Sequence, residues 1–386
     1  MPGSGNSPAA CATKYGQTPS ANSVSDGFPI FTKAPNPLDF TGTLLAQNTN
    51  FKQGRIQQFN VNVEHELPGE IVLTIGYAGS RSSHLLVDGN NLNVGSPGAC
   101  GTVTGYTLGC GPGGSAFGVP YTAFPFSTIS NQFDSGRAHY NSLQIKAETK
   151  SSRYGVYALI GYTYARAYDN GLTDGVGTPL GATYFPLPNW QQLDWGLSQI
   201  NLNQSFTASV IYQLPFGKGK RFGSNWSAPA NAVLGNWETT LIEKATTGFP
   251  VFVVDSNNAS GVNFENNGNS LNRPNQTCNP NSGSSTLGEW FNTGCFSAPA
   301  AGQLGTAGRT PATGPGFVNT DFSLIKHFLL PRESMRLDFR TEIFNLFNHP
   351  QFGSPGADFN SPATFGVVNS TVNNPRLFQF GLKLAF

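Results

Sequence analysis

Four ionisable side chains alternate with mostly apolar ones near the carboxyl terminus. They are Arg336, Asp338, Arg340 and Glu342. A period of two puts them on one face of a β-strand and puts the side chains between them on the other face. Four charges cannot lie in a dry core unless each is paired, whereas a water-filled lumen accommodates them. We therefore predict that they face a lumen, with direct contact to a substrate as the alternative.

The five cysteines are the next candidates for chemistry: Cys11, Cys100, Cys110, Cys278 and Cys295. Two pairs are close in sequence, each within a stretch rich in Gly, Asn or Pro. No Cys-x-x-Cys occurs and no histidine is near, so a zinc site is not favoured. We predict the disulfides Cys100–Cys110 and Cys278–Cys295 in an oxidising compartment, with free thiols as the alternative.

Other motifs indicate no enzyme, cofactor or metal. A G-x-G-x-x-G match at residues 109–114 lacks a strand–turn–helix context, and Pro112 interrupts it. The five histidines lack metal-ligand spacing, and no Gly-x-Ser-x-Gly elbow occurs. Residues 169–171 and 255–258 could contribute to calcium loops but carry too few carboxylates for a predicted site.

Composition narrows the class of protein. The chain has 386 residues and a net charge of +1, which does not favour nucleic-acid binding. Charged residues make up 11% of the chain, against about 25% in a typical soluble protein. No run of 18 apolar residues occurs, so no transmembrane helix is predicted. Many aromatic, Gly, Asn, Ser and Thr residues favour strands joined by long polar loops.

The elements that must position the charged residues are strands, and the last one is the most regular. Its large apolar side chains alternate with small or polar ones: Phe378, Phe380, Leu382, Leu384 and Phe386. About 9–11 residues suffice for a strand to cross a bilayer. We interpret this segment as a lipid-facing closing strand and as the carboxyl-terminal signal for membrane insertion. The alternative is a strand of a soluble sandwich.

About nine strands are predicted, joined by connections that alternate strictly between short and long. Short turns are expected near residues 67–70, 151–153, 215–221 and 330–334, and long loops at residues 80–135, 169–200, 248–316 and 348–374. Outer-membrane barrels have short periplasmic turns and long extracellular loops. The fold class is therefore all-β, an antiparallel up-and-down transmembrane β-barrel. Residues 1–50 are loop-rich, with a short strand expected near Thr43–Gln47, and residues 51–386 form the barrel part.

Several phrases resemble the carboxyl-terminal part of Oar-like TonB-dependent receptors, which are common in Acidobacteria. They are residues 343–353 (IFNLFNHPQFG), 365–366, 374–376 and the closing strand, together with the weaker phrases at residues 161–164, 214–221 and 247–250. The resemblance covers residues 50–386. It implies an outer-membrane transport barrel of about 22 strands.

Such receptors also carry a signal peptide, a carboxypeptidase-regulatory-like domain and a plug. None of these is visible in this sequence, and residues 1–6 do not resemble a signal peptide. We therefore expect a carboxyl-terminal piece of an incomplete barrel that inserts poorly by itself.

The partners implied by the resemblance are outer-membrane lipid, the barrel-insertion machinery and, only through the missing plug, the TonB system. The resemblance names no substrate; a carbohydrate, a peptide and a metal chelate all stay open. Two other functions stay open as well. One is a structural or adhesive barrel that acts through its loops, and the other is a secreted β-sandwich hydrolase, which would need a carboxylate pair that the sequence does not offer.

Overall fold

The computed structural model describes residues 43–47, 50–91, 101–103, 106–108, 128–151, 155–171, 190–257, 272–283, 285–330 and 335–386. Its main feature is one large antiparallel sheet in which each long strand pairs with the next along the chain. The long strands are β1 (Arg55–Leu67), β2 (Ile71–Asn91), β3 (Thr128–Ser151), β4 (Val156–Asp169), β5 (Gln204–Gln213), β6 (Trp237–Thr246), β7 (Phe317–Leu329), β8 (Arg336–Phe344) and β9 (Leu377–Ala385).

The sheet is an up-and-down meander, as the sequence predicted. Within the described residues, β1 and β9 each have a single strand neighbour, β2 and β8 respectively, so they form the two edges of the sheet. The first hairpin shows how local sequence makes the turn. Gly69 has a φ of 93° and Glu70 a φ of 62°. Glycine adopts positive φ without a steric penalty, which favours a tight turn at this position.

The register gives the sheet two distinct faces. On one face, Leu337, Phe339 and Ile343 of β8 stand opposite large apolar residues of β9, in the order Leu384, Leu382 and Phe378. On the other face, Asp338 stands opposite Lys383 and Glu342 opposite Gln379. We name these the apolar face and the polar face of the sheet. Because side chains alternate along every strand, the two faces continue across the meander.

The orientation of β4, which the sequence left ambiguous, follows from its neighbours. Tyr162 pairs with Ile145 of β3 and with Phe206 of β5, and this row belongs to the apolar face. Leu159 therefore lies on the polar face, where its partner Ser209 in turn pairs with Ile242 of β6. Both Leu159 and Ile242 are exposed. The polar face thus carries a small apolar patch.

The loop expected at residues 80–135 was partly wrong, because strands occupy both of its ends. β2 continues to Asn91 and β3 begins at Thr128, with register shifts between Ser82 and Asn90. The extension of β2 includes the continuous apolar run Leu85–Val87, and Val87 is only 1% exposed. It therefore lacks the period of two by which a half-buried strand is recognised, and main-chain pairing does not require that period.

The connection between β5 and β6 also differs from its prediction, since it is not a short turn. Residues 214–236 include a bridge between Phe216 and Phe222 and the helix α2 (Ala228–Leu234). This segment folds against the apolar face. Lys326 of β7, on that face, donates to the carbonyl oxygen of Gly235 and lies 3.4 Å from that of Asn231. We name residues 214–236 the rim segment.

At the opposite end of the sheet, the long connections fold into a second compact layer, which we name the loop assembly. It comprises the described parts of residues 190–203, 247–316 and 345–376, with the helix α1 (Trp190–Asp194) and a 3₁₀ turn (Thr293–Cys295). Two short strand pairs brace it: Pro250–Val251 with Ala312–Thr313, and Asn275–Gln276 with Phe296–Ser297. Its apolar core consists of Val251, Val253, Phe291, Cys295, Phe296, Ala307, Ala312 and Phe365.

Four further short strands complete the described secondary structure. Thr43–Gln47, where the sequence predicted a short strand, pairs in parallel with the start of β3. Gly101–Val103 pairs with Tyr106–Leu108, and Gly196–Leu197 pairs with the end of β4. Neither helix in the part of the chain that the structure describes is long and apolar enough to cross a membrane.

Candidate functional site

The predicted charged residues lie together on the polar face of β8, with Asp338 at the centre of a network. The Asp338 carboxylate lies 2.8 Å from Nε of Arg336 and 2.6 Å from Nδ1 of His327 on β7. Nε2 of His327 lies 3.8 Å from the carboxylate of Glu238 on β6. Asp338 is buried within this network, and Arg336 and His327 compensate the cost of removing its charge from water.

Arg340 and Glu342 form the second, weaker half of the charged row. Arg340 Nη2 and Glu342 Oε1 are 3.8 Å apart, and the Arg340 side chain is largely exposed. An ion pair of this kind contributes little to stability because water screens it. Its charges therefore stay available to solvent and to any solute that passes this face.

A cavity of about 300 Å³ opens beside the network at the turn end of the sheet. Its lining residues are Gln213, Lys220, Asn236, Trp237, Glu238, His327 and Arg336. Sequence reasoning missed His327 and Glu238 as members of the site. A signal for His327 was present, because it alternates with the apolar residues of its strand, Phe322, Leu324 and Phe328. Glu238 carried no such signal, since β6 is only weakly patterned.

Two buried ion pairs hold the loop assembly together and attach it to the sheet. Arg309 pairs with Asp169 at the end of β4, and Arg273 pairs with Asp194 of α1. Arg273 also donates to the carbonyl oxygen of Leu193 at 2.8 Å. All four side chains are almost fully removed from water. Arg273 and Asp194 are 79 residues apart in the sequence, and Arg309 lies still farther from Asp169, so sequence spacing gives no indication of these contacts.

A disulfide joins Cys278 and Cys295, whose Cα atoms are 5.0 Å apart. Cys295 lies in the apolar core of the loop assembly, and the bond therefore attaches the segment around Cys278 to that core. Cys11, Cys100 and Cys110 lie outside the described residues. The pairing of Cys100 with Cys110 stays a prediction.

Asp255, one of the loop carboxylates considered for calcium, accepts hydrogen bonds from the backbone N–H of Asn257 at 3.0 Å and from the side-chain amide of Asn360, and so joins two segments of the loop assembly. Asp358 accepts hydrogen bonds from the hydroxyls of Ser256, at 2.8 Å, and Ser361, at 3.0 Å. Burial raises the pKa of Asp358, but the hydrogen bonds from Ser256, Asn360 and Ser361 outweigh it, and the net pKa is lowered. Within the described ranges, no three His, Cys, Asp or Glu residues are grouped so that they could hold a metal ion.

A second cavity, of about 460 Å³, lies at the loop end of β2 and β3. Its walls are polar and carry both signs of charge, and the backbone N–H of Lys52 donates to the Asp134 carboxylate at 2.7 Å. The other lining residues are Asn50, Ser83, His84, Ser135, Arg137 and Gln191. The arrangement suits a hydrated polar ligand and offers no nucleophile paired with a base.

The closing strand β9 presents its apolar side chains to the outside of the sheet. Phe378, Phe380, Leu382 and Leu384 are all exposed, and Phe339 of β8 stacks against Phe380 with ring centroids 6.3 Å apart. Phe386 follows the end of β9 and is 91% exposed. An apolar surface of this length needs an apolar medium to cover it.

A comparison with models of protein families shows which family the chain belongs to. The model of the outer membrane β-barrel domain family matches residues 2–379, nearly the whole chain. The chain belongs to this family. As an outer membrane β-barrel protein it is located in the outer membrane, and its meander is a transmembrane sheet whose periplasmic connections are shorter than its extracellular loops.

Solved structures similar to this outer membrane β-barrel protein include the transporter YddB from Escherichia coli, at 8% identity and a TM-score of 0.47. Another is the FrpB iron transporter from Neisseria meningitidis, at 10% identity and a TM-score of 0.39. The two matches cover 89% and 88% of this chain, but this chain spans only 34% and 32% of the lengths of those two proteins. No protein with curated annotation matches it.

Proposed function

We propose that residues 51–386 form the carboxyl-terminal part of an outer-membrane transport barrel, with residues 1–50 belonging to an extracellular loop of the same barrel. The observation that carries the proposal is the separation of the two faces across nine strands in a protein of the outer membrane. In this arrangement Leu337, Phe339 and Ile343 contact lipid, and Arg336, Asp338, Arg340 and Glu342 line an aqueous lumen. Charges in hydrocarbon are costly, whereas a wet lumen solvates them.

We further propose that the barrel belongs to a TonB-dependent receptor of the Oar-like type. The phrases at residues 343–353 and in the closing strand support this family. A second support is the apolar patch of Leu159 and Ile242 on the polar face. An open aqueous pore gains nothing from exposed apolar side chains, whereas a plug domain packed inside the lumen would bury them. The transported solute is of an undetermined class: a carbohydrate, a peptide or a metal chelate.

Single cysteines on neighbouring positions of β8 test the face assignment. Arg340→Cys should react with a membrane-impermeant thiol reagent in outer membranes, and Phe339→Cys should not. The unsubstituted chain measures the background from the native cysteines, and Phe339→Cys should regain reactivity after detergent denaturation. Equal labelling of both positions in the membrane would refute the assignment.

An adhesive barrel is the second candidate, and the compact loop assembly favours it, because a disulfide-linked core supports a rigid binding surface. The reading frame upstream of Met1 distinguishes the two candidates. An in-frame plug domain with a TonB box supports uptake. A signal peptide followed directly by barrel strands would favour adhesion and would contradict the TonB-dependent assignment.

A further inference from the structure

The rim segment is basic, aromatic and free of acidic residues. Residues 214–236 contain Lys218, Lys220 and Arg221 but no Asp or Glu. None of these three cations forms an ion pair with an acidic residue of the described chain. A cationic segment of this composition favours an anionic partner.

The rim segment lies on the lipid side of the barrel wall, and Lys326 shows this. Lys326 projects from the apolar face of β7 and is only 2% exposed. Its ammonium group is covered by the carboxyl-terminal carbonyls of α2 and by two rings, since it lies 5.5 Å from the Trp237 centroid and 5.3 Å from the Phe328 centroid. An ammonium group on this apolar face finds hydrogen-bond acceptors only if the rim segment packs over it, outside the lumen.

The same segment exposes apolar side chains next to its cations. Val233 and Leu234 of α2 are 65% and 54% exposed, and Phe216 and Phe222 are exposed as well. Arg221 lies over the Phe222 ring, with its guanidinium carbon 5.4 Å from the centroid. Cations beside exposed aromatic and aliphatic groups are typical of a surface at the boundary between headgroups and acyl chains.

A cavity of about 680 Å³ lies between the rim segment and the outer surface of the sheet. One wall is the apolar face of β4 and β5, represented by Val156, Val210 and Tyr212. The opposite wall is the rim segment, with Pro215, Gly219, Lys220, Arg221 and Phe222. The cavity thus has an apolar wall for acyl chains and cations for a phosphate.

We propose that this cavity binds the headgroup of an anionic phospholipid of the periplasmic leaflet, such as phosphatidylglycerol. Lys220 and Arg221 contact the phosphate, and the acyl chains lie along Val156, Val210 and Tyr212. Lys220 lies at the edge of the sheet between the two faces: its Nζ donates to Oε1 of Gln213 at 3.2 Å, and the residue lines both this cavity and the smaller one beside the Asp338 network. The proposal rests on the face assignment given above and is independent of which solute the barrel transports.

The test is lipid selectivity of the whole 386-residue chain. The protein is reconstituted in equimolar phosphatidylglycerol and phosphatidylcholine, extracted gently, and its retained lipids are quantified by native mass spectrometry. Wild-type protein should retain phosphatidylglycerol preferentially. Lys220→Gln/Arg221→Gln should lose this preference, by about fivefold for each cation removed. The matched control Lys146→Gln/Arg376→Gln also removes two charges, at sites away from the rim segment, and should keep it.

A chemical footprint of the wild-type protein gives a second test, which does not depend on whether the double variant folds. Acylation of Lys220 should be slower in phosphatidylglycerol vesicles than in phosphatidylcholine vesicles, whereas Lys146 should react equally in both. The proposal is overturned if the wild type retains both lipids equally, if the double variant keeps full preference, or if the Lys220 footprint does not depend on the lipid. Single-cysteine labelling on β8 tests the face assignment separately, so its failure is distinguishable from failure of the lipid site.

Discussion

The buried pair of Arg309 and Asp169 offers the sharpest test of how the loop assembly is held to the sheet. Asp169→Asn keeps the size of the side chain and an acceptor for the backbone N–H of Gly171, which donates to Asp169 at 2.9 Å. It removes the charge that compensates Arg309, whose side chain is only 1% exposed. An uncompensated buried cation is expensive because the interior solvates it poorly.

The expected magnitude follows from that burial. Removing one partner of a buried ion pair costs about 3–5 kcal/mol. The lower end applies here, because the loop assembly can open locally and let water reach Arg309. A loss of about 3 kcal/mol raises the population of the open loop by about 100-fold.

Native-state hydrogen exchange measures this opening. The reporter is the amide of Ala307, which donates to the carbonyl oxygen of Pro274 at 3.0 Å within the loop assembly. Its exchange should accelerate in Asp169→Asn, while amides in the β8–β9 ladder should not change. The matched control is Glu148→Gln, which breaks an exposed pair with Lys146 at 3.5 Å and should cost less than about 1 kcal/mol. If exchange at the Ala307 amide is unchanged in Asp169→Asn, as it should be in the control, the buried pair does not hold the loop assembly against the sheet.

Three further outcomes follow. Replacing both Cys278 and Cys295 by Ser should destabilise the loop assembly by about 3 kcal/mol, because the disulfide closes a loop with a sequence separation of 17 residues. The denaturation midpoint measures this loss, and an unchanged midpoint would contradict the prediction. Deleting Phe386 should impair assembly into the outer membrane, whereas Phe386→Tyr should not, as judged by heat-modifiable gel mobility; normal assembly without Phe386 would refute its role as an insertion signal. The lowered pKa of Asp358 stabilises the folded loop at neutral pH, and this contribution should disappear as pH falls below the ordinary value of 3.8 and through the lowered pKa. The protection factors of amides near Ser256, corrected for the pH dependence of intrinsic exchange, should therefore fall in acid in the wild type but change little in Asp358→Asn. Equal acid dependence of the protection factors in both proteins would contradict this.

The alternation of side chains was enough to predict the nine-strand antiparallel meander and its two faces. β8 and β9 alternate so regularly that the side-chain period alone separates Phe339 from Arg340, because neighbouring residues of a strand point to opposite faces. The short strand at Thr43–Gln47 was also recognisable. The sequence did not predict which side chains of β4 lie on each face, because Leu159 and Tyr162 are both large. Only the pairing of Tyr162 with Ile145 and Phe206 orients the strand.

Tertiary structure decided the features that combine distant segments. The Asp338 network needs His327 and Glu238 from two other strands, and the loop assembly needs Asp169 to meet Arg309. No local periodicity encodes such meetings, because they depend on register and on how long loops close. The rim segment is the clearest case. Its composition is that of a basic, glycine-rich turn, and only the contact of α2 with Lys326 places it on the apolar face of the sheet. An ammonium group on an apolar face must find carbonyl partners, and the tertiary structure decides which ones it meets.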